Sequence, residues 1–212
     1  MGWGGKRRGA GRKPVGERAG VSHAKRPKLA ARYPVLVTMR LRAGLASLRA
    51  DDTHELVKRS FVAAESADFH VIEYSVQSTH VHVLAEASDE RALTRGMTGL
   101  AVRIARGVNK LLRRVGAVFS DRFHARILRS PREVRNALVY VLQNARKHGA
   151  WCANRPDAYS SGAWFEGWKE VSWNPAESSG RFLARARTWL LSLGWRMHGL
   201  IGPAELPRGS PA

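Results

Sequence analysis

The chain has 212 residues, 44% of them hydrophobic, and its 36 Lys+Arg against 17 Asp+Glu give a formal charge of +19. That length can bury one good core with a small appendage, and the apolar fraction excludes a disordered basic tail. The single cysteine, Cys152, excludes an internal disulfide or a Cys-rich zinc centre and suits a reducing, cytoplasmic setting. So large a positive excess points to a polyphosphate partner, and with no apolar run approaching twenty residues no membrane partner is expected.

Residues 1–31 are rich in Gly, Lys and Arg and poor in core formers. They read as a flexible basic arm whose Arg7, Arg8, Arg12 and Lys13 track phosphates, with Arg12-Lys13-Pro14 also suited to a minor groove. Residues 33–41 are β-rich and form a first strand. Asp51 or Asp52 then caps a helix with Leu56, Val57, Phe61 and Ala64 on its apolar stripe. Residues 69–76 make a second strand, and the polar turn Gln77-Ser78-Thr79 folds the following residues back on it as a hairpin.

That returning strand carries the first chemical signal. Alternation puts His80 and His82 on one face and Val81, Val83 and Ala85 on the other. Two neutral imidazoles on a rigid strand offer a pair of lone pairs to one metal ion, although the same pair also suits the polar face of a half-buried strand.

Residues 88–115 read as a long helix with Leu93, Met97, Leu100, Ile104, Val108 and Leu111 turned inward. Arg95, Arg103, Arg106 and Lys110 fall on its other faces, short of balancing acids, which suits phosphate contact as well as solvation. Arg122 and Arg126 add cations around a fourth strand over 123–128, where His124 reads as strand-face polarity or a further site residue. Ser130, Pro131 and Glu133 start a helix running to about residue 147, and on it Tyr140 and Asn144, four apart, share a face.

The order strand, helix, strand, strand, helix, strand, helix predicts an α+β fold. It is a ferredoxin-like or RRM-like split βαβ sandwich, one antiparallel sheet with helices on one side. If the last helix lies near the central strands, Asn144 completes a His80/His82/Asn144 metal site with Tyr140 one helical turn away. Tyr33, Tyr74 and Tyr159 are rival phenols.

The combination of His80-Val81-His82 after a β-hairpin with Tyr140-Val141-Leu142-Gln143-Asn144 on a late helix resembles the HUH single-tyrosine transposases, and especially the REP-associated tyrosine transposases. The resemblance covers residues 32–149, read as the catalytic domain. It implies a divalent ion, Mg²⁺ or Mn²⁺, held by His80, His82 and Asn144, although histidine donors also admit zinc. It further implies attack by Tyr140 on single-stranded or hairpin-flanked DNA, leaving a 5′-phosphotyrosine link and a free 3′-hydroxyl. Where such proteins often place a proline after the asparagine, this helix continues Ala145-Arg146-Lys147-His148, so Gln143 and His148 stay open as substitute ligands. A monomer and a homodimer are both compatible with the family. The alternatives are a non-catalytic RRM-like nucleic-acid-binding module and a domesticated transposase relative.

Residues 150–212 form a Trp-rich extension, with Trp151, Trp164, Trp168, Trp173, Trp189 and Trp195 among Gly, Ser, Asn and Pro and one helix expected over 180–193. These tryptophans either fasten the extension onto the domain or stack on unpaired bases.

Overall fold

The computed structural model describes residues 26–147, 155–170 and 180–207. Arg7, Arg8, Arg12, Lys13, His148, Trp151 and Trp173 therefore lie outside the described residues. Four strands, β1 (Val35–Arg40), β2 (Phe69–Val76), β3 (His80–Ala87) and β4 (His124–Ile127), form one sheet in the order β2-β3-β1-β4. All pairings are antiparallel. With helices α1 (Asp51–Val62) and α2 (Glu90–Leu111) this is the βαββαβ arrangement that the order of elements predicts.

Alternation along the strands divides the molecule into two cores. Val35, Val37 and Met39 of β1 and Val81, Val83 and Ala85 of β3 face α1 and α2, where they meet Val57, Phe61, Leu93, Met97, Leu100 and Ile104. Each such side chain taken from water contributes roughly 1.5–3 kcal/mol. Gly96 and Gly107 let α2 lie close, since a Cβ at either would collide with Phe69 or Leu56. Asp89 caps α2 by accepting from the backbone N–H groups of Arg91 and Ala92, and the helix ends at Leu111, which is exposed rather than part of the core stripe. The cap of α1 also differs from expectation. Ala50 holds that position without a side-chain bond, and Asp51 and Asp52 sit in the first turn.

The expectation of helices on one side holds for α1 and α2 but not for α3 (Pro131–Leu142), which packs on the opposite face. There Leu36, Ile72 and Leu84 meet Val134, Leu138, Val141 and Leu142. The described part of the C-terminal segment covers α3 from outside, with Phe165, Trp168, Leu190, Leu191, Trp195 and Ile201 joining the same core. Trp164 and Phe182 instead pack against the first core. The predicted helix over 180–193 is reduced to one turn, α5 (Trp189–Ser192), followed by a 3₁₀ turn, Gly194–His198. Tertiary partners explain the loss: Arg181 binds the carbonyls of Ile72, Trp164 and Ala184, and the Glu86 carboxylate accepts from the backbone N–H groups of Arg187 and Thr188.

No helix among the described residues is long and apolar enough to cross a membrane.

Candidate active site

His82 stands on the face of β3 that α3 covers and is almost wholly buried. Its register partners are Thr38 on β1 and Ser75 on β2, so a polar row crosses the sheet beneath it. Thr38 Oγ1 lies 2.9 Å from His82 Nδ1. With the hydroxyl accepting from Nδ1–H, Nε2 keeps its lone pair and the ring is held in one orientation. His80, half-buried, meets His82 edge to face at a centroid distance of 4.5 Å, with its Nδ1 3.2 Å from Thr79 Oγ1.

From the helix side, Tyr140 reaches the same place. Its Oη lies 3.3 Å from His82 Nε2, and the two rings meet edge to face at 4.8 Å. The capping box predicted at the start of α3 forms: Ser130 accepts from the Glu133 backbone N–H, and the Glu133 carboxylate accepts from that of Ser130. The phenol is half-exposed, so a substrate can approach it from solvent.

The helix does not run unbroken to residue 147. Gln143 adopts φ −110° and ψ 12°, and Asn144 opens a separate turn, α4 (Asn144–Lys147). Tyr140 and Asn144 thus sit on either side of a break rather than one above the other on a continuous helix. Asn144 is wholly buried, and neither its Oδ1 nor its Nδ2 has a hydrogen-bond partner among the described residues. Leaving such a group unpaired costs about 1–3 kcal/mol. The Gln143 amide nitrogen is instead committed to the Gly202 and Pro203 carbonyls, at 3.2 and 2.9 Å.

Among the described residues no cluster of three or more His, Cys, Asp or Glu is gathered. A cation held as the sequence predicts would draw on two imidazoles and the Asn144 amide oxygen. That donor set is neutral, so it would leave the ion's charge for anionic oxygens of a substrate. The residues present fit a divalent ion on this ground.

The rival phenols are differently placed. Tyr74 is fully buried with its Oη 3.0 Å from His54 Nε2, and burial raises its ionisation far above the ordinary range. Tyr159 donates to Asp51, and that bond raises its pKa. Tyr33 packs between the two cores. His124, opposite Thr38, is exposed on the site face two strands from His82, roughly 10 Å away at the usual strand spacing.

The expected phosphate-binding cations divide. Arg95, Arg103, Arg106 and Lys110 are all exposed, but α2 lies on the far side of the sheet from His82. Arg126 is on the site face and pairs with Glu133 at 3.3 Å. Arg122 lies close enough to Arg26 that, after burial, it is the second cause lowering the Arg26 pKa; Arg26 itself stacks on Phe123. Sequence reading missed Thr38, whose one signal is that it is the only polar residue in Val35-Leu36-Val37-Thr38-Met39.

Sheet and site together define an α+β domain that brings an imidazole pair and a phenol together on its α3 face. No family model matches the sequence, and no curated protein matches it. Among solved structures, the fold is similar to that of a REP-associated tyrosine transposase bound to a REP hairpin. The TM-score is 0.50 at 15% identity, over 62% of this chain and 76% of that one. At that identity the likeness is one of fold.

Proposed function

We propose that this chain is a metal-dependent nicking and strand-transfer enzyme acting on single-stranded DNA at hairpin-flanked ends, with Tyr140 as nucleophile. The observation that carries the reading is the 3.3 Å approach of Tyr140 Oη to His82 Nε2. Tyr140 Oη attacks the scissile phosphorus, the P–O3′ bond breaks, and the strand is held as a 5′-phosphotyrosine while its other end leaves as a free 3′-hydroxyl. Attack by a 3′-hydroxyl on that link rejoins strands without an external energy source. His80, His82 and Asn144 would hold a divalent ion, Mg²⁺ or Mn²⁺, which when bound neutralises charge on the non-bridging phosphate oxygens. Thr38 keeps the His82 ring aimed, and the packing of α3 keeps the phenol within reach of it.

An RRM-like module that reads bases on its open sheet fits less well. Here α3 covers that face, with Leu36 and Leu84 beneath it.

The test is incubation of labelled single-stranded hairpin oligonucleotides with Mg²⁺ or Mn²⁺, followed by a denaturing gel. A covalent protein–DNA band that disappears in Tyr140→Phe and without metal is the expected result. A band that persists in Tyr140→Phe, or none in the wild type, overturns the reading.

A further inference from the structure

A second cleft lies on the same sheet face, where the start of β2 and the end of β3 meet α5. It encloses about 450 Å³ and is lined by Arg32, Asp68, His70, Glu86, Arg187 and Trp189, among others. Trp189 is 57% exposed although it belongs to a folded turn. One edge of its indole rests on Gly194, where a Cβ would collide with the ring. Thr188, the residue before Trp189, caps α5 by accepting from Leu191 N–H and donates to Glu86 at 2.7 Å.

His70 lines the wall of the same cleft. It is 7% exposed; its Nδ1 lies 2.8 Å from Glu65 Oε2, and its Nε2 is buried without a hydrogen bond among the described residues. With Glu65 accepting from Nδ1–H, Nε2 is left as an acceptor. Both Glu86 oxygens are already occupied by Arg187 N–H, Thr188 N–H and the Thr188 hydroxyl. Arg32 and Arg187 are exposed at the rim and pair with no carboxylate among the described residues, while exposed Asp68 adds a second acceptor.

We infer that this cleft receives one unpaired nucleobase of the DNA strand engaged at Tyr140, stacked on Trp189, with its phosphates met by Arg32 and Arg187. The ligand class rests on the function proposed above; the site does not overlap it. An exposed aromatic face and rim cations are what an unpaired base requires, and the charge of +19 favours a nucleic acid over a neutral aromatic. Glu86 and His82 are four residues apart on one face of β3, about 13 Å, which is roughly four nucleotides at the 3.4 Å stacked rise. A base bound here would set the distance from a recognised nucleotide to the cleaved bond.

The test measures binding, in metal-free buffer and in a Tyr140→Phe background. The probe is a fluorescein-labelled hairpin oligonucleotide selected for tight binding from a pool with randomised single-stranded flanks. Abasic sites are then placed at each flank position in turn. One position should weaken wild-type binding by about tenfold, Trp189→Ala should lose the same factor on the intact oligonucleotide and become insensitive at that position, and Trp189→Phe should retain most of both. Circular dichroism confirms that the exposed substitution leaves the fold intact. Equal affinity of Trp189→Ala and its parent, or a loss spread evenly over all positions, overturns the inference. A metal- and Tyr140-dependent covalent band accompanied by either of those outcomes leaves the proposed function standing and removes the base pocket alone. Failure to select any binder removes both.

Discussion

Thr38 and His82 face each other across β1 and β3, with Oγ1 2.9 Å from Nδ1. With Oγ1 accepting from Nδ1–H, Nε2 is the nitrogen turned toward Tyr140. Thr38→Val keeps the β-branched shape and removes only the acceptor, so the sheet should fold unchanged while Mn²⁺ affinity falls about 10–100-fold. Calorimetric titration of Mn²⁺ checks this, and unaltered affinity would show that the hydroxyl does not orient the ring.

Asn144 predicts opposite changes in stability and activity. Asn144→Leu replaces two unpaired buried polar atoms with apolar ones at similar volume. Metal-free protein should gain about 1–2 kcal/mol in urea unfolding, and metal-dependent cleavage should disappear. A loss of stability would mean that the amide is satisfied by something other than a ligand.

Glu86 anchors the C-terminal segment through three hydrogen bonds at residues 187 and 188. Glu86→Gln turns an amide N–H₂ toward donors and should cost about 2–3 kcal/mol. Limited proteolysis should then cut within residues 180–207 faster than in the wild type, while unchanged cleavage would remove Glu86 as the anchor.

His54 makes stability depend on pH. Burial, then Lys58, holds its imidazole down at about 4, against roughly 6.5 in an unfolded chain. Its contribution is intact above pH 6.5 and is lost as pH falls toward 4, because the unfolded chain takes up the proton first. Between pH 7 and 5 the wild type should lose on the order of 1–2 kcal/mol more than His54→Gln, a variant that can still reach Tyr74. Parallel urea midpoints for the two proteins would exclude the effect.

What could be read from the chain depended on how local its cause was. The hairpin and α2 follow from alternation, a polar turn and the Asp89 cap, all carried by residues close in sequence. His80, His82 and Tyr140 stood out by their spacing, and the fold brings their rings together. Thr38 did not, since its role exists only through register with a strand more than forty residues away. The placement of α3 had a signal that was passed over. Ala137, Leu138, Val139, Val141 and Leu142 are apolar nearly all round the helix, which requires cover on two sides. The break at Gln143 depends on carbonyls of residues 202 and 203 and has no local mark.

The cover over α3 also bears on how the site would be assembled. Arg135 grips Glu205 through two bonds of 2.7 and 2.9 Å, Gln143 holds residues 202 and 203, and Trp195 and Ile201 close over the helix. A molecule lending its tyrosine helix to a neighbour would have to hand over this clasp as well, or strip it and expose its apolar side. If the proposed activity holds, turnover per molecule is expected to hold steady on dilution.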